Sequence, residues 1–376
     1  MRLMLTTVGT SALQHNASEL ERRRLAACAN KKQVELDPSE QELLAQRRQH
    51  AEQLLQGPPR QVRRASAELN ALLAYYGDRE SAIGEDRHIL VASDTAQGRL
   101  AAALLEAYLS SRAGPEQVEV WAPAGLVTSD LTAFYRGVRS LLKLCDETLP
   151  AYRLMGVPIV FNTVGGFKSQ RDMLNVLGMF YADEILYIFE DPAAPLLRLP
   201  RLPVRLDREL FQAHAVEMAL LAAGRSFAGQ ELRVPEWLPA TLFDEPDAAG
   251  RRSLSAWGLL VWNQVKDEVL GEQLLGFDGV EYTAAFERDF FCLPQDPRRL
   301  RTRLQQRVAQ LVVELERAGG QLEELVQQGL LERSGGRLRL VVAGEQRAAP
   351  LLAAICEPAD AGGGLRFVEI EQLSPA

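Results

Sequence analysis

The chain has 376 residues, 47% of them hydrophobic and 24% charged, which suffices for two or three globular domains with ordinary cores. Its formal net charge of −8 excludes a global basic field for nucleic acid, so any such site must be local. No apolar run approaches the roughly 20 residues that span a bilayer, and no basic segment followed by a long apolar stretch opens the chain, so neither a membrane segment nor a signal peptide is expected.

The first run, "RLMLTTVG", is β-rich, ends at Gly9 and turns through "GTS" into a helix. "LDPSEQELLAQRRQHAEQLL" predicts a long helix. Asp37 is its N-cap, Pro38 its first helical residue, and Leu43, Leu44, Ala51, Leu54 and Leu55 share one face. Gly57-Pro58-Pro59 stops it. Buried strands are predicted at "HILVASD" (88–94), "VEVWAP" (118–123), "VPIVFN" (157–162) and "EILYIFE" (184–190). Between them lie the helical patterns "TAQGRLAAALLEAYL", "SDLTAFYRGVRSLLKLCDETL", with Ser129 as cap, and "KSQRDMLNVLGMFYA". Continuous apolar strands alternating with helices indicate a parallel sheet covered on both faces, so residues 1–195 read as one doubly wound α/β domain.

The proline-rich run "DPAAPLLRLPRLP" (191–203) reads as a linker. Residues 196–275 read as a mostly helical connector, with Trp257, Leu260, Val261, Val265 and Leu270 as a core stripe. Residues 276–376 read as a small α+β domain. "VEYTAAFERDFFCL" is a strand leading into a helix. "DPRRLRTRLQQRVAQLVVELERAGG" is a long helix with Asp296 as cap and Gly319-Gly320 as stop. "GRLRLVVAG", "PLLAAICEP" and "LRFVEIEQL" are strands, the first with Arg337 and Arg339 on one face. Four cysteines, Cys28, Cys145, Cys292 and Cys356, lie far apart with no CxxC pair. That argues against a zinc site or a disulfide framework and fits a reducing cytoplasm. No metal is expected.

Ligands of open parallel sheets sit outside the carboxyl ends of the strands. Three loops leave those ends with small or hydroxylated residues: "VGTS" (8–11), "SDTAQG" (93–98) and "NTVGGFKS" (162–169). Glycine lets backbone N–H groups approach an anion, the following helix adds its dipole, and Lys168 supplies a point charge that suits phosphate. The loops match neither GxGxxG nor a Walker A loop, so an ordinary dinucleotide or ATP site is not expected. Strand-to-helix turns also need glycine on conformational grounds alone, and that reading stands beside the binding one.

"LMLTTVGTSAL", "ASDTAQGRLAA" and "NTVGGFKSQRDMLNVLGMFYADEILYIFE" resemble the CARF domain, the sensor of type III CRISPR systems, over about residues 1–195. The resemblance implies a Rossmann-like domain and a homodimer whose two sheets share one two-fold pocket for a cyclic oligoadenylate. Cyclic tetra-adenylate is the activator it implies, with no further cofactor. Ser11, with Gly9 and Thr10 beside it, would meet the ligand at the first loop. Lys168 would contact phosphate, Asn162, Gly165 and Gly166 would shape the pocket, and Asp94, Thr95 and Gly98 would line the second loop. Slow cleavage of the ring by such a domain is an alternative activity. A CARF transcription regulator is another, and would place a winged helix in 204–275.

The second half allows several effectors. A HEPN ribonuclease would use Arg, four to six residues, then His, and Arg208 and His214 have that spacing. A metal-dependent nuclease wants a late Glu-x-Lys, but the last lysine is Lys266. "YTAAFERDFFCLPQDPRRLRTRLQQRVAQL" followed by "GRLRLVVAGEQR" resembles the RelE family of ribosome-dependent mRNA interferases over about 278–372. The resemblance implies metal-free mRNA cleavage on the ribosome, with Arg337, Arg339 and Arg347 as the catalytic arginines. Guanidinium groups stabilise charge at phosphorus but are poor bases, so the proton acceptor is unassigned. Residues 281–376 contain no lysine or histidine and one tyrosine, Tyr282, with 12 arginines against 14 acidic residues. Arg298, Arg299, Arg301, Arg303 and Arg307 cluster on one helix and are the expected contacts to RNA phosphates.

Overall fold

A computed structural model describes residues 1–188, 195–228, 238–293, 297–342, 351–359 and 364–373. The chain forms two compact units, Met1–Pro203 and Val204–Ala376.

The first unit is built on six strands: β1 (Leu3–Thr7), β2 (Arg87–Val91), β3 (Val118–Trp121), β4 (Ile159–Asn162), β5 (Glu184–Tyr187) and β6 (Leu197–Pro200). Their order is β3-β2-β1-β4-β5-β6. β1 to β5 run parallel, and β6 closes the edge antiparallel to β5, with Leu186 opposite Arg198. Part of the run read as a linker is therefore sheet. Its prolines are tolerated because an edge strand needs only one side of its backbone for pairing. β1 and β4 are buried along their whole length, as continuous apolar strands covered on both faces must be.

Helices α1 (Ser11–Gln14), α2 (Glu19–Ala27), α3 (Pro38–Leu55), α4 (Pro59–Ala65) and α5 (Ala67–Tyr75) connect β1 to β2. α6 (Ala96–Ala113), α7 (Leu131–Leu154) and α8 (Lys168–Tyr181) connect the later parallel strands. Met4, Leu90, Val160 and Leu186 pack with Leu69 and Leu72 of α5 and Leu105 of α6 in one cluster. Asp37 caps α3 as expected: its Oδ1 accepts the Glu40 N–H, and Glu40 reaches back to the Asp37 N–H. α7 is capped by Asp130, not Ser129, because the Asp130 carboxylate accepts the Ala133 N–H.

The second unit starts with α9 (Arg208–Gln212), α10 (Ala215–Ala222), the short pair β7 (Phe227–Ala228) and β8 (Arg251–Arg252), and α11 (Ala256–Glu272). Next come β9 (Val280–Tyr282), α12 (Ala284–Phe291), α13 (Pro297–Arg317), α14 (Leu322–Gln327), β10 (Glu332–Ser334), β11 (Arg337–Val342), β12 (Leu351–Pro358) and β13 (Leu365–Leu373). The five-stranded sheet runs β10-β11-β12-β13-β9, antiparallel except for the parallel pair β13–β9. One cluster joins Phe211, Met218, Trp262 and Leu270 to Phe286, Leu304, Leu340 and Phe367. The helices of 204–275 thus share a core with the strands of 276–376. The Asp296 cap lies outside the described residues.

Candidate functional site

The strand order of the first sheet reverses between β1 and β4, and the turns after these strands meet there. This is the crevice where open α/β sheets take ligands. Thr7, at the end of β1, donates its hydroxyl to the Gly165 carbonyl at 2.7 Å. A β-carbon on Gly9 would stand 2.4 Å from the Gly166 nitrogen, so only glycine lets the turns come this close. Gly166 has φ +93°, a conformation that L side chains rarely adopt. Arg47 of α3 donates to the carbonyl oxygens of Leu13 and His15 and fixes the far end of α1.

The first loop is organised around a residue the sequence reading passed over, Glu68 of α5. Its carboxylate is fully buried. Oε1 accepts the Gly9 N–H at 2.7 Å, and Oε2 accepts the hydroxyls of Ser11 at 2.8 Å and Ser66 at 2.7 Å. The Ser11 hydroxyl in turn accepts the Ala67 N–H at 3.0 Å. The Asn162 side-chain amide donates to the Glu68 carbonyl at 3.0 Å. A β-carbon on Gly165 would lie 2.0 Å from Glu68 Oε1. Gly9, Ser11, Asn162, Gly165 and Gly166 are thus brought together, with a protein carboxylate among them. Thr10 lies beside them and its hydroxyl accepts from Gln14.

The fourth-strand loop has the opposite character. α8 starts after Phe167 with no side-chain cap and no acidic residue in its first turn, and Lys168 is its first residue. Lys168 is exposed and makes no ion pair among the described residues. An uncapped helix N-terminus with a lysine on it is an anion-binding arrangement.

The second loop is closed by its own bonds. Thr95 caps α6, accepting the Gly98 N–H at 3.0 Å and meeting the Ser93 hydroxyl at 3.0 Å; Thr95 and Gly98 are buried. A β-carbon on Gly98 would lie 2.1 Å from Ser93 Oγ. Asp94 accepts the Gly125 N–H at 3.0 Å and pairs with Arg99 at 2.8 Å and Lys32 at 3.2 Å. Burial opposes its ionisation, but these three donors outweigh burial and hold its carboxyl below the ordinary carboxylate range.

In the second unit Arg337 and Arg339 do share the outer face of β11. Each meets a carboxylate of β13: Arg337 with Glu369 at 2.7 Å and Arg339 with Glu371 at 2.8 Å. Arg347 lies outside the described residues. The tyrosine of this region, Tyr282, packs in a cluster with the rings of Phe286 and Phe367, which also meet each other, and burial pushes its phenol up, away from any role as a base.

The five arginines of α13 do not form one positive surface. Arg298 pairs with Glu272 at 3.1 Å and Arg299 with Asp267 at 3.8 Å. Arg301 turns inward to the carbonyls of Phe290, Phe291 and Gly271. Arg307 is half-buried on Gln310, and Arg303 has its own interaction partner. The 3.6-residue period spreads them around the helix, which a count of arginines along the chain does not register. Arg208 and His214 fall on either side of a helix break, Arg208 opening α9 and His214 preceding α10, with Arg208 paired to Glu272.

Among the described residues the four cysteines are free, with Cys28, Cys145 and Cys356 buried and Cys292 exposed. No cluster among the described residues could hold a metal ion, and no described helix is long and apolar enough to cross a membrane. No curated protein matches the chain. The model of the family described as CRISPR-associated protein (Cas_APE2256) matches residues 63–202, which include Glu68, β2 to β6 and the Lys168 turn. The matched stretch lies in the first unit, which is thus similar to a CRISPR-associated protein family over residues 63–202.

Proposed function

We propose that the first unit is a sensor for a cyclic oligoadenylate, cyclic tetra-adenylate in particular, acting as a homodimer in type III CRISPR defence, and that ligand controls an mRNA endoribonuclease in the second unit. The observation that carries the sensor reading is the uncapped N-terminus of α8 with Lys168 on it, at the strand-order reversal of a parallel sheet. The messenger is a ring of phosphodiesters, and a two-fold dimer would present this turn twice to a two-fold ligand.

The effector reading rests on the order β9-α12-α13-α14, then β10 to β13, with Arg337 and Arg339 on an outer strand face. The resemblance to the RelE-like mRNA interferases implies a similar plan. RNA cleavage through the 2′-hydroxyl needs charge stabilisation at phosphorus, and two adjacent guanidiniums supply it once their carboxylates yield to the substrate. Coupling requires that the ring favour one dimer arrangement over another, since equal affinity for both shifts nothing.

The test is a toeprint of mRNA on programmed ribosomes with and without cyclic tetra-adenylate, beside the same RNA free in solution. Cleavage confined to ribosomes and enhanced by the ring is the expected result. Equal cutting of free RNA removes the interferase reading. A ring-dependent shift of promoter DNA without cleavage would favour a transcription regulator.

A further inference from the structure

The two turns at the β1–β4 crevice share one buried carboxylate, Glu68, and differ in the lysine that only the second carries. Every donor it meets is one that a phosphate could otherwise take: the Gly9 N–H, the Ser11 hydroxyl and the Ser66 hydroxyl. Among the described residues it has no basic partner. The glycine at 165 is accounted for in the same way, because any side chain there would overlap Glu68 Oε1. The same carboxylate lies against Gly165 of the second turn, but the first turn of α8, opened by Lys168, has no acidic residue of its own.

The consequence for Ser11 follows from hydrogen-bond inventory. A serine hydroxyl has one proton and two lone pairs. The Ser11 proton goes to Glu68 Oε2, and one lone pair takes the Ala67 N–H. What it can still offer is one lone pair, so it can accept but not donate. A phosphate oxygen is an acceptor only and finds no donor on the Ser11 hydroxyl, beside which stands the Glu68 carboxylate. A neutral O–H or N–H finds its complement. Two amide oxygens nearby, and the Thr6 hydroxyl of β1, are buried without a hydrogen-bond partner. Gln170 Oε1, 3.1 Å from where a Gly166 β-carbon would stand, has no hydrogen-bond partner, and neither does Asn162 Oδ1.

We propose that Glu68 is a positioning residue that fixes Ser11 as a hydrogen-bond acceptor, so that the β1 turn takes an uncharged donor of the ligand while its phosphate is taken at the Lys168 turn. This rests on the sensor reading above and deepens it. In a cyclic oligoadenylate the donor is a ribose 2′-hydroxyl or the adenine amino group, and both are neutral.

Glu68→Gln rearranges the hydrogen bonds of the turn. The Gly9 N–H keeps the carbonyl oxygen of the new amide, which turns its NH2 toward Ser11 and Ser66. Ser11 then accepts twice, and its proton points out to the ligand. The polarity of the turn reverses without loss of volume.

The experiment is calorimetric titration of the full chain with three rings: cyclic tetra-adenylate, its 2′-deoxy analogue, and the analogue whose purines lack the amino group. Wild type should bind one of the two analogues at least about tenfold more weakly than the parent, the scale of one lost hydrogen bond repeated in a two-fold site. Ser11→Ala and Glu68→Gln should each reduce that ratio to near one, an effect that mere loosening of the fold would not produce. Melting curves check that both variants fold; should Glu68→Gln not fold, the analogues on wild type and Ser11→Ala still decide. Equal binding of all three rings by wild type, or an undiminished ratio in Ser11→Ala or in folded Glu68→Gln, overturns the inference and leaves the sensor reading standing. No binding of the parent ring overturns both.

Discussion

Gly9 and Gly166 sit at the ends of different strands, yet a β-carbon on the first would stand 2.4 Å from the nitrogen of the second. The approach is held by Thr7 on the Gly165 carbonyl and by Glu68 beneath both turns. Gly165→Ala would force a β-carbon to within 2.0 Å of Glu68 Oε1 in a site with no slack. Overpacking of this kind costs about 1–3 kcal/mol. Denaturant unfolding should show that loss, together with weakened ring binding.

Asp94 gives a pH dependence with a definite sign. Its carboxyl is held below its ordinary range by Gly125, Arg99 and Lys32 against the cost of burial. A depressed folded-state pKa contributes stability that is complete above the unfolded value, about 3.9, and is lost as pH falls through the lower folded value. Asp94→Asn should melt below wild type at pH 7. The gap should close as the pH drops below about 4. A gap constant from pH 7 to 3 would contradict this origin.

Two arginines of α13 should behave differently. Arg301 donates to three backbone carbonyls and lies over the rings of Phe290 and Phe291. Its replacement by alanine strands those carbonyls and should cost about 1.5–3 kcal/mol. Arg298 is an exposed partner of Glu272, and Arg298→Ala should change stability by less than about 1 kcal/mol. Chemical denaturation of both variants checks this, and equal losses would refute it.

Arg339 separates fold from activity. Its pair with Glu371 is partly exposed, and such pairs contribute about 0.2–1 kcal/mol. Arg339→Ala should therefore melt within about 4 °C of wild type. It should keep ring binding and lose ring-enhanced mRNA cleavage on ribosomes. Undiminished cleavage by the Arg337→Ala/Arg339→Ala double variant would point to another effector class.

The parallel sheet was legible because its strands are continuous apolar runs and its helices carry strong caps such as Asp37 and Thr95. The edge strand β6 was not, since Leu197–Pro200 is short, ends on a proline inside a proline-rich run and pairs with β5 alone. Glu68 was hidden for a different reason. A glutamate in the first turn of a helix is ordinary on dipole grounds, and nothing local in "SAELNALL" tells that its carboxylate reaches the turns after β1 and β4. The glycines of those turns suggested a phosphate nest. Part of their purpose is to admit this carboxylate. The arginines of α13 illustrate the reverse case, a visible cluster whose members are drawn off one by one by Glu272, Asp267 and backbone carbonyls.

The central claim is that the crevice between β1 and β4 binds a cyclic oligoadenylate through the Lys168 turn. Calorimetric titration of wild type and Lys168→Ala with cyclic tetra-adenylate tests it directly, at two salt concentrations. Wild type should bind saturably, more weakly at higher salt, and Lys168→Ala should lose about tenfold or more in affinity, the scale of one charge-assisted contact to phosphate. No heat from wild type at high micromolar ring, or equal affinity of the two proteins, would contradict it.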